Sequence, residues 1–363
     1  MTRDYSQFMP STGTPTPTTP KRSALEILGW QPFFATQVDV DTLSATPPVR
    51  VTEVHKSGAN VKGDGFDGLI PPSLDLAVGD WLLFDEALPT HSVLLERKSL
   101  FKRRAAGHAK HYQLIAANVD TVFVVTSCNA DFNVARLERF IALAFESEVA
   151  PVIVLTKADL CEDTQPFIDE AQAISDRVPV IALNAKEGDV AGALSDWSAP
   201  GQTIAFLGTS GVGKSTLVNA LFGQEKAATK GIREDDARGR HTTTARQLHF
   251  TENGLGVLDT PGMRELQLAD AEAGIADLFS DVVELAAQCK FNDCAHETEP
   301  GCKVRAAIEA GTLDAARLER WRKLAAEERH NTATLAERRA QQKDFGKMIK
   351  TVTKAHKGRK GRR

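Results

Sequence analysis

The run Gly208-Thr209-Ser210-Gly211-Val212-Gly213-Lys214-Ser215-Thr216 has the spacing G-x-x-x-x-G-K-[ST]. Glycine-rich backbone at that spacing wraps a diphosphate with successive N–H groups, while a lysine neutralises charge and a hydroxyl reaches Mg²⁺. Lys214 and Ser215 stand at those two positions. An apolar stretch at 203–207 reads as the buried strand before such a loop, and Leu217, Val218, Leu221 and Phe222 put an apolar face on a helix after it. A second constellation, Cys289-x₄-Cys294-x-His296-x₅-Cys302, offers three thiols and one imidazole, the four ligands of a closed tetrahedral structural zinc site. The competing reading is disulfides. The chain shows no signal-peptide pattern and no long apolar segment, which points to a reducing cytoplasm, where clustered cysteines favour metal.

Further motifs narrow the nucleotide. The segment Leu255 to Gly262 reads as a strand ending in Asp259-Thr260-Pro261-Gly262, a D-x-x-G box whose aspartate holds Mg²⁺ and whose Gly262 N–H senses a γ-phosphate. Upstream, an apolar strand ends in Thr156-Lys157-Ala158-Asp159, which resembles the guanine-reading N-K-x-D box of GTPases. A carboxylate accepts two hydrogen bonds from N1–H and the 2-amino group of guanine, and adenine offers no such pair, so Asp159 selects GTP. Thr156 replaces the asparagine: a hydroxyl supplies one loop-fixing hydrogen bond, not the two-ended bridge of an amide. A further strand precedes Asn184-Ala185-Lys186, similar to the S-A-K loop that covers the base from its other side.

These boxes stand in an unusual order, because the base-reading motifs near 156 and 184 precede the phosphate loop at 208. The pattern is that of a circular permutation, tolerated where the original termini lie close together at the surface. Six strands, at 119–127, 151–155, 178–183, 203–207, 247–250 and 255–258, are predicted to position the motifs in a Ras-like sheet. Asn253-Gly254 between the last two marks a hairpin, the one antiparallel pair of such a sheet. The other connections are long enough for helical crossovers, as at 136–146 with Leu137, Phe140, Ile141 and Phe145 on one face.

The combination of Val78-Gly79-Asp80-Trp81, Ala116-Ala117-Asn118-Val119-Asp120, T-K-A-D, the phosphate loop, Gly239-Arg240-His241-Thr242-Thr243-Thr244, D-T-P-G and the cysteine cluster resembles the RsgA (YjeQ) family from about residue 47 to the C-terminus. That resemblance implies a GTPase of late small-ribosomal-subunit maturation, stimulated by the subunit. It implies a multi-domain fold: an N-terminal OB-fold β-barrel, a circularly permuted Ras-like α/β P-loop GTPase domain and a C-terminal α-helical zinc-binding domain. The corresponding divisions are 1–46 as a disordered or extended segment, 47–112 as an RNA-binding OB-fold, 113–266 as the GTPase domain and 267–363 as the zinc-binding helical domain with a basic tail. In the segment 239–244, Thr243 and Thr244 are the candidates for Mg²⁺ and the γ-phosphate. Met263 occupies the position where Ras-like enzymes carry a water-orienting glutamine, so His241 is the candidate for that role, beside Lys214 and Asp259 as charge-stabilising catalytic groups.

Composition agrees with several soluble units. At 363 residues, 42% hydrophobic and 25% charged, the chain is long enough for more than one core and lacks a membrane span. The net charge of −4 conceals a tail from 343 onward that carries nine lysines and arginines against Asp344 alone, a composition drawn to RNA phosphate. Residues 314–340 read as helix leading into it. Thr, Pro and Ser dominate residues 1–20, too polar to fold alone, while Trp30, Phe33 and Phe34 mark either a packed extension or a docking segment. Arg97, Lys98, Lys102, Arg103, Arg104 and Lys110 form a candidate rRNA contact or an ordinary solvated loop, and Cys128 and Cys161 read as packing residues. The expected partners are GTP and GDP, with one zinc ion and Mg²⁺, and the small subunit with its rRNA; no membrane or DNA is expected, and the chain is expected to act as a monomer. Two other classes fit parts of the pattern: a P-loop kinase or ATPase, and an RNA-binding module with structural nucleotide.

Overall fold

The computed structural model describes residues 22–55, 57–71, 75–104, 112–223, 246–259 and 270–332. Thirteen strands are described: β1 (Pro48–His55), β2 (Gly58–Gly63), β3 (Phe66–Ile70), β4 (Trp81–Leu83), β5 (Val93–Leu94), β6 (Leu100–Arg104), β7 (Tyr112–Ala117), β8 (Thr121–Ser127), β9 (Ala150–Thr156), β10 (Val180–Ala182), β11 (Thr203–Leu207), β12 (Gln247–Phe250) and β13 (Gly256–Asp259). The helices are α1 (Ala24–Ile27), α2 (Pro32–Ala35), α3 (Val40–Ala45), α4 (Val134–Glu146), α5 (Gln165–Gln172), α6 (Val190–Ala193), α7 (Lys214–Phe222), α8 (Glu272–Leu278), α9 (Ser280–Ala287), α10 (Lys303–Glu309) and α11 (Ala315–Thr332).

Strands β8, β9 and β11 are unbroken apolar runs because both faces of the sheet are covered. The central order is β10-β9-β8-β11-β13-β12. Every pairing along it is parallel except β12 with β13, so the Asn-Gly turn closes the antiparallel hairpin that the sequence predicts. Helices α6 and α7 cover one face around Leu217, Val218 and Ile204. On the other face lie α4 and the C-terminal helices, with Ile141, Ile275, Val304 and Leu318 in one continuous core. The chain from α8 to α11 therefore shares its apolar interior with the central sheet instead of forming a detached unit.

The N-terminal strands continue this sheet. β1 pairs antiparallel with β12 at Glu53 and Gln247, then with β2 and β4, while β2 pairs β3 and β4 pairs β5. Their own core contains Val49, Val51, Val61, Leu82 and Phe84. Helices α1 to α3 lie against this module: Phe34 is buried, and Trp30 meets Trp81 edge-on at 4.9 Å between ring centroids. Of the two readings of this aromatic segment, packing holds for Trp30 and Phe34, and Phe33 stays exposed.

The segments V-G-D-W and A-A-N-V-D turn out to weld the modules together. Gly79 has φ +96°, and a Cβ there would lie 2.2 Å from the Ala117 carbonyl oxygen, so only glycine permits the approach. Buried Asp80 accepts two hydrogen bonds from Arg97, both 2.8 Å, and Asp120 takes Lys98 while also accepting the Thr203 N–H at 2.7 Å. Arg97 and Lys98, expected among possible rRNA contacts, are thus committed to carboxylates inside the chain. The buried Arg50 sits at the same junction, donating to the Leu28 carbonyl at 2.5 Å and to the Thr203 hydroxyl at 2.7 Å. Burial pushes its guanidinium down to about 10.

Candidate nucleotide site and cysteine-histidine cluster

Parallel pairing puts the carboxyl ends of β9, β10, β11 and β13 on one edge of the sheet, the edge where open α/β sheets bind ligands. Four of the nucleotide-facing motifs of the sequence adjoin strand ends there. Thr156 ends β9, Asn184 follows β10, Gly208 follows β11, and the backbone of Asp259 ends β13. Between them lies a cleft of about 200 Å³ lined by Thr156, Lys157, Asp159, Asn184, Ala185, Lys186, Gly211, Gly213, Lys214, Ser215 and Thr216. Leu160 also lines the cleft and is exposed; no feature of the local sequence distinguishes it from an ordinary core leucine.

The phosphate loop has the geometry its glycines imply. Gly208, Gly211 and Gly213 all have positive φ, and a Cβ on Gly208 would meet the Val125 carbonyl oxygen at 2.4 Å. Thr209 and Ser210 lie between the first two of these glycines, and α7 begins at Lys214. The Lys214 ammonium donates back to the carbonyls of Gly208, at 2.8 Å, and Thr209. The loop therefore orients its own cation at the mouth of the cleft.

Thr156 joins base box to phosphate loop. Its Oγ1 lies 2.6 Å from the Val212 carbonyl oxygen and 3.1 Å from that of Thr126. A hydroxyl has one proton, so it serves one carbonyl at a time, and the shorter contact favours the loop. Lys157 takes the left-handed conformation at φ +57°, which turns the chain so that Asp159 stands exposed on the following 3₁₀ turn. On the opposite wall, the Asn184 side chain accepts the N–H groups of Lys186 and Glu187 and fixes the 184–188 turn.

Several sequence-predicted residues lie outside the described ones. These are His241, Thr243, Thr244 and Gly262, and for Asp259 the description covers only the backbone.

The second cluster sits beyond α9. One ligand atom from each of Cys289, Cys294, His296 and Cys302 lies within 4.8 Å of all the others. The Sγ atoms of Cys289 and Cys302 are 3.9 Å apart, and His296 Nδ1 is 3.7 Å from the first and 3.5 Å from the second. Ligand bonds of ~2.3 Å to sulfur and ~2.05 Å to nitrogen at a tetrahedral angle place sulfurs ~3.8 Å apart and nitrogen ~3.6 Å from sulfur. The fit is close. Backbone N–H groups of Lys303 and Arg305 point at the sulfurs of Cys289 and Cys302, each at 3.4 Å. Burial raises the Cys289 thiol, but the N–H groups of Lys303 and Val304 and the neighbouring thiols outweigh it and hold Cys289 below its ordinary range. Burial and the two adjacent sulfurs push Cys294 up to about 11, and burial together with Arg322 keeps His296 neutral to lower pH. Three thiols and one imidazole gathered at this spacing suit a cation that takes thiolates and neutral imidazole. The other two cysteines, Cys128 and Cys161, lie elsewhere, Cys128 buried at the end of β8.

Comparison with known proteins agrees with this geometry. The family model "RsgA GTPase" matches residues 94–269. An ABC transporter model also matches 197–349, a span that opens just before the phosphate loop that both groups of nucleotide-binding proteins possess. The small ribosomal subunit biogenesis GTPase RsgA 2 of Vibrio parahaemolyticus is 48% identical over 331 residues, covering 90% of this chain and 92% of that protein. The small ribosomal subunit biogenesis GTPase RsgA of Mesorhizobium japonicum is 49% identical over 317 residues, 85% of this chain and 91% of its own length. The crystal structure of YjeQ from Thermotoga maritima superposes with a TM-score of 0.55 at 28% identity, covering 76% of this chain and 96% of that one. YloQ, described as a circularly permuted GTPase, shares the fold with a TM-score of 0.54 at 21% identity over 80% and 97% of the two chains. With a base box ahead of the phosphate loop on one sheet edge and relatives matched over nearly their whole length, this chain belongs to the RsgA family of circularly permuted GTPases.

Proposed function

We propose that this GTPase binds the small ribosomal subunit, acts in its late maturation, and hydrolyses GTP to GDP and phosphate at a rate the subunit raises. The observation that carries the reading is the single cleft in which T-K-A-D, N-A-K and the phosphate loop converge. Asp159 would read the guanine edge, Lys157 and the Asn184–Lys186 turn would flank the base, and the loop from Gly208 to Thr216 would hold the phosphates through its N–H groups and Lys214. Mg²⁺, when bound, supplies charge neutralisation between the phosphates. Ser215 and Asp259 would hold it, with Thr243 or Thr244 from the segment before β12. Lys214 and Asp259 would stabilise charge on the reacting phosphate, the Gly262 N–H would sense its presence, and His241 would orient the attacking water.

The cysteine-histidine cluster would hold one structural zinc ion, by its donor set and its ligand spacing. The strands β1 to β5, five short antiparallel elements around a small core, support an OB-fold RNA-binding module within 47–112; the GTPase domain would span 113–266 and the zinc-binding unit 267–363. The basic tail after 343 would add affinity for rRNA phosphate, and the protein would work as a cytoplasmic monomer. GTP turnover with and without purified small subunits tests the central claim, and Asp159→Asn tests the base box. That variant should lose GTP and gain xanthosine triphosphate, whose 2-oxo group accepts an amide donor. Undiminished GTP affinity in it would refute the assignment.

A further inference from the structure

The amide that the base box lacks at Thr156 is present on the opposite wall of the cleft, at Asn184. Thr156 is wholly buried, and its one proton serves the phosphate loop through the Val212 carbonyl at 2.6 Å. It has none left to donate to a base. Asn184 opens the turn after β10, is only half-buried, and lines the cleft.

The turn decides which end of that amide is presented. The Asn184 Oδ1 accepts the Lys186 N–H at 2.9 Å and the Glu187 N–H at 3.3 Å, and two backbone donors can be met only by the oxygen. A flipped amide would set Nδ2 against both N–H groups. The oxygen is therefore committed to the turn, while Nδ2 has no hydrogen-bond partner among the described residues and keeps both protons for a ligand. The turn that holds it is tight. The Gly188 N–H returns to the Asn184 carbonyl at 3.0 Å, and a Cβ on Gly188 would lie 2.5 Å from that oxygen.

Guanine carries two acceptors on one edge, O6 and N7. Asp159, which would take N1–H and the 2-amino group, stands on the Thr156 wall; O6 adjoins N1, so N7 is the acceptor that lies farther from the carboxylate. We propose that Asn184 is a specificity-determining residue whose Nδ2 donates to N7 of the guanine, supplying from the far wall a contact that Thr156 cannot make. The inference rests on the proposed guanine reading by Asp159. It divides recognition of the base between two walls, donors of the base to one and an acceptor of the base to the other.

The test uses the full-length, zinc-replete protein and Asn184→Asp, which keeps an acceptor for the two turn N–H groups and replaces the donor by a second oxygen. Dissociation constants are measured, by competition with a fluorescent GDP analogue, for GDP, for ADP and for 7-deaza-GDP, in which C–H takes the place of N7. The wild type should bind GDP about fivefold more tightly than 7-deaza-GDP, the worth of one neutral hydrogen bond. In Asn184→Asp an oxygen meets N7 acceptor to acceptor, so GDP should bind roughly tenfold more weakly than to wild type and 7-deaza-GDP should become the better ligand. Thr156→Val loosens only the loop and should weaken both nucleotides by the same factor. A wild type indifferent to N7 overturns the inference. So does a preference for GDP that survives in Asn184→Asp, because a merely structural turn, or an ammonium of Lys157 or Lys186, would leave it intact. A preference lost in Thr156→Val returns the contact to residue 156 and overturns the inference as well. ADP held as tightly as GDP by the wild type instead removes the guanine reading itself, and the inference with it.

Discussion

The salt bridge between Glu138 of α4 and Arg320 of α11, 2.8 Å long, is the most exacting test of the claim that the C-terminal helices are built onto the GTPase core. Its two ends are not equivalent. The Glu138 side chain is completely buried and its Oε2 has no hydrogen-bond partner among the described residues, whereas a quarter of Arg320 is open to solvent. Removing the arginine strands a carboxylate in the core; removing the carboxylate leaves a cation that water can still reach. Breaking a buried pair from its costly side typically loses ~3–5 kcal/mol, and the exposure of Arg320 moves the expectation for Arg320→Ala to about 3 kcal/mol. Glu138→Gln should cost about 1 kcal/mol, and Glu138→Gln with Arg320→Met should lie within about 1 kcal/mol of wild type, because a neutral, packed pair avoids both desolvation terms.

Burial already pushes the Glu138 carboxyl up against the opposing effect of Arg320, and loss of Arg320 pushes it further. A carboxyl whose folded value is raised contributes its full stability below the unfolded value and loses it as pH climbs through the folded one. The deficit of Arg320→Ala relative to wild type should therefore be largest near pH 7.5 and shrink as the pH approaches 5. Urea titrations at several pH values, with zinc saturating and tryptophan fluorescence as the probe, measure it; Trp321 lies 6.1 Å from the His296 ring and reports on the C-terminal unit. A Glu138→Gln variant as unstable as Arg320→Ala, or a deficit independent of pH, would refute the reasoning.

Three other outcomes are expected. Freshly purified protein, never exposed to chelator, should carry about one zinc per chain, and Cys294→Ser should unfold the helices around the cluster while GTP binding persists; metal analysis that finds no zinc contradicts the assignment. Ser215→Ala should weaken Mg²⁺-dependent nucleotide binding and turnover together, whereas His241→Ala should lower turnover with little change in nucleotide affinity, and wild-type stimulated turnover in the latter would show that another group orients the water. Removal of residues 343–363 should weaken subunit binding and flatten its salt dependence with unstimulated hydrolysis intact, since up to nine cationic side chains release counterions when they meet phosphate. An unchanged salt slope on truncation would count against any contact between tail and RNA.

The central sheet was legible because its physics is local. A strand buried on both faces is an apolar run, and β8, β9 and β11 are read almost residue for residue, as is the hairpin closed by Asn253-Gly254. The nucleotide cleft was legible for a related reason, since phosphate loops and base boxes need particular residue types at fixed spacing. What escaped was everything decided by long-range partners. No local pattern announces that β1 extends the sheet from β12, that Arg50 is buried among carbonyls contributed by three segments, or that Arg97 and Lys98 are matched by Asp80 and Asp120. A basic stretch looks the same in sequence whether its charges meet RNA or carboxylates of its own chain.

That contrast bears on how nucleotide state reaches the rest of the molecule. The permuted order runs the D-T-P-G strand straight into the C-terminal helices through 263–287, and from sequence alone this invites a picture of the zinc-binding unit swinging with each hydrolysis event. The packing opposes such a swing. Val304, Leu318 and Leu324 are buried in the same core as Ile141 and Leu143 of α4, so rotating the unit away would expose apolar surface at roughly 25 cal/mol per Å² and strand Glu138 besides. The described ends of the two phosphate-sensing segments are Arg246 and Asp270. Those ends meet the β6–β7 hairpin, and Asp270 also meets the end of α11. The packing thus favours a change that leaves this core intact over a rigid-body swing.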